Sequence, residues 1–174
     1  MSSAGSDVLV VVPEAEPAVA ALRERLDPAA AAGIPAHVTV LHPFAPAALL
    51  DDATIAALAG AIESVPAFDA VLERVEWFDR SVVWLAPEPV DPFRRLTAAV
   101  VRAFPAYPPY GGVHGWSTPH LTVAREAPVE VLRAAAREVA ALLPIRFRVE
   151  QVLLMHGTPD AGLRTRAVLP LGRG

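Results

Sequence analysis

The sequence predicts a mixed helix-and-strand fold, as one domain over residues 1–174 or two small lobes sharing a core, and three observations predict it. The chain has 174 residues of which 53% are hydrophobic, ample for a sizeable core. Short β-branched runs are interspersed with Ala- and Leu-rich stretches of helical period. A pattern of the form His-x-Thr-apolar occurs twice, near a proline each time, and is followed by a helix and strands both times.

Taken in order, residues 1–6 are expected to be disordered. Asp7 to Val12 (DVLVVV) then reads as a buried strand and Pro17 to Leu26 as a helix with Ala and Leu on one face. Gly33-Ile34-Pro35 breaks the pattern before the strand that starts at His37 (HVTV). An Ala-rich helix over Asp51 to Ser64 follows. Phe68 to Phe78 and Val82 to Ala86 read as strands joined at Asp79-Arg80-Ser81, and Asp91 to Phe104 as a helix opened by Asp-Pro. The stretch PAYPPYGGVHGWSTP, 105–119, has neither period and reads as a long loop of the kind that binds or covers ligands. The second motif follows as the strand PHLTV, then a helix over Val129 to Leu143 and strands over Ile145 to Met155 and Leu163 to Leu169.

Composition excludes several chemistries. Cysteine is absent, which removes disulfides, thiol nucleophiles and thiolate zinc sites. The fifteen basic residues are all Arg, which rules out a lysine Schiff base or a phosphate-loop lysine. A net charge of −4 argues against duplex DNA as a partner, so any phosphate contact is local and suited to the bidentate Arg fork. Membrane-length apolar runs and a signal-peptide pattern are missing, and the expectation is a cytoplasmic monomer.

A lone His-x-Thr carries little information, since an isolated histidine is usually a satisfied packing residue. The repeat changes that. A strand's side chains alternate, so His37 and Thr39 share one face and His120 and Thr122 another. Two imidazoles facing one cleft can serve as base and acid near neutrality, and two hydroxyls beside them can donate to phosphoryl oxygens. That equipment suits attack at phosphorus with no metal and no cofactor, and neither is expected. His42 has the opposite strand parity to His37 and is expected at the cleft edge or in packing; His114 falls in the loop and His156 at a strand end. Trp116, Tyr107, Tyr110 and Phe44 are candidates to stack on a base, Trp116 foremost because it lies close to His120, against core or loop packing for each. Trp77, Phe78 and Trp84 are assigned to the core.

With AHVTVLHPF, VEWFDRSVVWLAPEP and TPHLTVAR in hand, the chain resembles the two-histidine (2H) phosphoesterase superfamily, which includes the bacterial 2'-5' RNA ligase and RNA 2',3'-cyclic phosphodiesterase proteins. The resemblance runs from the first strand to the closing TRAVLPLG. It implies an α+β fold of two pseudo-symmetric lobes, each with an antiparallel sheet and outer helices, facing across a cleft. It implies that His37 and His120 are catalytic, His120 as base and His37 as acid, and that Thr39 and Thr122 bind the phosphoryl group. The family's second motif is often followed by Arg, and Arg125 is expected to reach the cleft if its strand runs on without a bulge. The implied substrate is a small nucleotide or RNA terminus carrying a 2',3'-cyclic phosphate or 2'-5' phosphodiester. The rivals are a nucleotide-binding module of the same fold without turnover and, more weakly, a metal hydrolase, for which no His-x-His or His-Glu-x-x-His spacing exists.

Overall fold

The computed structural model describes residues 4–113, 118–158 and 160–174. The elements are β1 (Gly5–Val11), α1 (Glu16–Leu26), α2 (Pro28–Ala31), β2 (His37–Leu41), α3 (Asp52–Glu63), β3 (Phe68–Phe78), β4 (Val82–Glu88), α4 (Asp91–Ala103), β5 (Leu121–Arg125), α5 (Val129–Ala140), β6 (Ile145–Val149), β7 (Gln151–Thr158) and β8 (Gly162–Pro170). Single 3-10 turns stand at Pro13–Ala15, Ala47–Leu49 and Pro109–Gly112.

Two antiparallel four-stranded sheets, ordered β2-β1-β7-β8 and β5-β4-β3-β6, form the two lobes of an α+β fold. Each motif strand is an edge strand paired with the strand before it, β2 with β1 and β5 with β4. The symmetry is therefore one of position within the sheets. It differs from the order seen along the chain, because the two strands after the first motif, β3 and β4, both join the opposite sheet.

The helices bury residues at three- and four-residue spacing: Leu58 and Ile62 of α3, Phe93, Leu96 and Val100 of α4, Leu132, Ala135 and Val139 of α5. These pack with Val8 and Val10 of β1, Val38 of β2 and Val83 and Leu85 of β4 into one apolar cluster serving both sheets. Proline in the first turn opens α1, α2 and α4, where the missing N–H costs no helical bond. Among the described residues no helix is long and apolar enough to cross a membrane.

Three expectations need correction. The first strand takes in Gly5 and Ser6, because the Ser6 hydroxyl is buried and donates to the Ala45 carbonyl at 2.5 Å while the Phe44 N–H donates to the Ser6 carbonyl. Ile145 to Met155 is two strands in different sheets, divided at Glu150. The buried positions show why: Ile145, Phe147 and Val149 are odd-numbered, Val152 and Leu154 even, so the inward face changes phase at the break. The helix expected to reach Leu143 ends at Ala140, before Pro144.

Candidate active site

The edge strands β2 and β5 meet across a cavity of about 470 Å³ lined by His37, Thr39, His120, Thr122, Arg125 and His42, with Asp7, Asp27, Tyr110 and several aliphatic side chains completing its wall. His37 Nδ1 lies 2.8 Å from the Pro35 carbonyl and His120 Nδ1 lies 2.7 Å from the Thr118 carbonyl. A carbonyl can only accept, so each Nδ1 carries the proton and each Nε2 is the ring nitrogen left for chemistry. The same local bond, ring to the carbonyl two residues back, thus sets the same tautomer in both motifs.

The segment before His37 is tightly held. Arg23 donates to the Ile34 carbonyl at 3.0 Å, the Ala36 N–H donates to Glu16 at 2.7 Å, and the Val12 N–H donates to the Ala36 carbonyl at 2.8 Å. These bonds on both sides of Pro35 hold the turn into β2, which fixes the ring it carries.

A β-bulge follows each threonine. In β2 the partners run Leu9 with Thr39 and then Val8 with Leu41, leaving Val40 as the extra residue; in β5 they run Trp84 with Thr122 and then Val83 with Ala124, leaving Val123. The Val40 carbonyl accepts from the Thr97 hydroxyl of α4 at 2.9 Å, which satisfies the bulged peptide. Arg125 lines the cavity as expected, but the condition placed on it is reversed. On an unbroken strand His120, Thr122 and Ala124 would share a face and Arg125 would point away. The bulge at Val123 is what turns Arg125 into the cavity.

Arg125 is anchored there. Its Nε donates to Asp27 Oδ1 at 3.2 Å, and Asp27 Oδ2 accepts from Arg23 Nε at 3.0 Å. Asp27 also caps α2, accepting from the Ala29 N–H at 3.1 Å. Arg23 and Asp27 are 2% and 3% exposed, so the pair is cut off from water and each charge depends on the other.

The family model described as the 2'-5' RNA ligase superfamily matches residues 11–161. The chain belongs to that superfamily. Among solved structures, TT0787 of Thermus thermophilus is 20% identical with a TM-score of 0.63, covering 97% of this chain and 98% of that one. Apo LigT of E. coli is 17% identical with a TM-score of 0.59, covering 99% of this chain and all of that one, and LigT complexed with 3'-AMP gives 17% and 0.56 at the same coverage. These likenesses show the shared bilobal fold. A comparison with curated proteins finds no match.

In this superfamily member the electrostatics of the two imidazoles are alike. Burial drives the His37 pKa down from 6.5 to about 4, opposed by its bond to Pro35, with nearby Arg23 and His120 adding to the depression and Asp27 opposing it. Burial lowers His120 as well. Both rings are neutral at pH 7. An anion placed between two imidazoles favours the protonated form of either.

His42 lines the cavity, so the cleft-edge half of its expectation describes it. Strand parity does not, since β2 ends at Leu41 and the bulge has already shifted the phase. The residues that sequence reasoning passed over are Asp7, Asp27 and Arg23. Asp27 had a legible signal, an Asp before Pro at a helix start, but its buried partner Arg23 did not.

Phe44 is buried in the core, edge-on to Phe104 at 5.0 Å and to the partly buried Tyr107 at 5.4 Å, whereas Tyr110 lines the cavity. Phe78 and Trp84 stack at 4.6 Å and meet His120 edge-on at 5.0 and 5.9 Å, forming a wall behind that ring; Trp84 is buried, as expected of a core residue, whereas Phe78 is only half-buried. His156 sits within β7 opposite Arg164. Trp116 and His114 lie outside the described residues.

Proposed function

We propose that the chain, as one domain, is a metal-independent phosphoesterase that hydrolyses 2',3'-cyclic phosphates or 2'-5' phosphodiesters in small nucleotides or RNA ends. The observation that carries this reading is the pair of equally tautomerised imidazoles, each with Nε2 available, on two edge strands that share one cavity. LigT, which shares this fold, has been solved in complex with 3'-AMP, which supports a ligand of nucleotide size.

In the proposed step a water attacks phosphorus while His120 Nε2 takes its proton. The bond from phosphorus to one ribose oxygen breaks, and His37 Nε2 delivers a proton to that oxygen. One water is consumed and each histidine ends in the other's starting state. Thr39 and Thr122 donate to the phosphoryl oxygens, where charge accumulates, and Arg125 neutralises it.

A panel of 2',3'-cyclic mononucleotides, cyclic-phosphate-ended oligonucleotides and 2'-5' dinucleotides, assayed in EDTA, tests this. Turnover of at least one class persists after chelation, because the step is built from proton transfer and hydrogen bonding and asks nothing of a Lewis acid. Activity lost in EDTA and restored by a divalent ion overturns the metal-independent reading. Tight nucleotide binding with no turnover establishes the binding-module alternative.

The pH dependence is specific. With one histidine required neutral and the other protonated, kcat/KM of the free enzyme rises through the lower of their two pKa values and falls through the higher. Since His37 titrates near 4 and His120 below 6.5, the bell has its maximum on the acid side of 6.5. A maximum above pH 7 on a cyclic phosphate counts against these two groups as the titrating pair.

A further inference from the structure

The two bulges make His42 and Arg125 equivalent. Counting from the motif histidine, each chain segment runs His, apolar, Thr, bulged Val, paired residue and then a basic side chain turned into the same cavity. Each basic group has one nitrogen hydrogen-bonded to a carboxylate that lines the cavity. His42 Nδ1 donates to Asp7 Oδ1 at 2.5 Å as Arg125 Nε donates to Asp27 Oδ1 at 3.2 Å. Such a tether orients the group and leaves for a ligand the Nε2–H of a protonated His42 and the terminal nitrogens of Arg125, of which Nη1 lies 3.8 Å from the exposed Glu126 carboxylate.

The local frame supports a binding role. Asp7 is 9% exposed and stands on β1, one strand in from the motif, while the His42 side chain is about half exposed, at 53%, and borders the cavity. The Tyr110 N–H donates to the His42 carbonyl at 2.7 Å and the Tyr110 ring lies 6.0 Å from the imidazole, which holds the segment after β2 in place. Among the described residues lining the cavity, Arg125 is the one permanent cation.

We propose that His42, tethered by Asp7, is the second cation of this cleft: a protonated imidazole that binds phosphoryl oxygens from the side opposite Arg125 and so positions a nucleotide phosphate between His37 and His120. The inference rests on the phosphoesterase reading above and adds a substrate-binding residue to it. The groups that set its charge are Asp7, which holds the proton on the ring and raises its pKa from 6.5, and burial together with Arg125, which work against it. A raised histidine pKa keeps the positive charge present below that pKa and loses it as pH climbs through it. Phosphate affinity through His42 therefore weakens with rising pH, in a range where a guanidinium keeps its charge.

The test has two arms. In the first, the imidazole resonances of the full-length protein are titrated with pH, with and without inorganic phosphate. His42 titrates above the free-histidine value, phosphate raises it further, and Asp7→Asn lowers it. In the second, KM and kcat for a cyclic mononucleotide are measured at pH values on either side of that titration. His42→Asn raises KM about tenfold on the acid side, with kcat affected less, and the gap closes on the alkaline side, the loss of one charge-assisted hydrogen bond. His42→Lys keeps the low KM at both pH values, which separates charge from packing. An unchanged KM in His42→Asn across the range, or a His42 resonance insensitive to phosphate, overturns the proposal. If no substrate turns over but phosphate still raises the His42 pKa, the binding role stands and the phosphoesterase reading fails.

Discussion

Alanine at His37 or at His120 lowers kcat/KM on a 2',3'-cyclic phosphate by a factor of about 10² to 10⁴, the usual worth of one positioned proton-transfer group. The size follows from the geometry of the pair. Each ring has its Nδ1 committed to a backbone carbonyl and only its Nε2 free for proton transfer, so removing the ring leaves that step with no substitute from the same strand. The double variant is little worse than the worse single one, because base and acid act within one step and removing either already abolishes the concerted route. Thr39→Val and Thr122→Val each remove one donor to the phosphoryl group and cost less than the histidine changes. Steady-state kinetics of the four single variants and the double histidine variant check this. Rates near the parent's in both single histidine variants would remove them from the mechanism.

Both histidines and both threonines were legible because alternation in a short strand is a local property: His37 with Thr39, and His120 with Thr122, share a face whatever the rest of the chain does. The next residues were not legible for the same reason. A bulge inserts one residue and reverses every face beyond it, and nothing in VTVLHPF or LTVAREAP announces one. Counting through Val123 and Val40 therefore cannot place Arg125 or His42, and both line the cavity because of the bulges rather than by alternation.

Long-range pairing was the other limit. Helices and strands were placed within a few residues, since period and proline punctuation are written locally. The sharing of strands between lobes was not, because β7 returns to pair with β1 across more than a hundred residues of chain. The break at Glu150 marks that return in the pattern of apolar residues, and a reading of Ile145 to Met155 as a single run passes over it. The Phe78–Trp84 wall behind His120 is likewise a matter of pairing: Trp84 stands opposite Thr122 on the neighbouring strand, and no local pattern in VEWF or VVWLA shows that register.

The largest effect on stability falls on Asp27, far from the second motif in sequence. Asp27→Ala destabilises the protein by about 3–5 kcal/mol, as expected when one partner of a buried ion pair is removed and the other is stranded. Arg23 would keep its bond to the Ile34 carbonyl but lose the carboxylate, at a position 2% exposed where water cannot replace it. The α2 cap goes too, a further loss of about 1 kcal/mol. Because Arg23 also braces the turn into β2 and Asp27 anchors Arg125, the same change loosens both sides of the cleft and raises KM in whatever fraction still folds. Urea denaturation gives the sharper diagnosis when Arg23→Met is added to Asp27→Ala. If the cost lies in the stranded charge, the double variant is more stable than Asp27→Ala alone, since replacing a whole buried pair is far cheaper than breaking it. If the cost lies in the cap and in the Arg23–Ile34 bond, the second change adds to the first. A single-variant cost below about 1 kcal/mol, within the range of an exposed pair, would mean that the Arg23–Asp27 contact is solvated and does not organise the site.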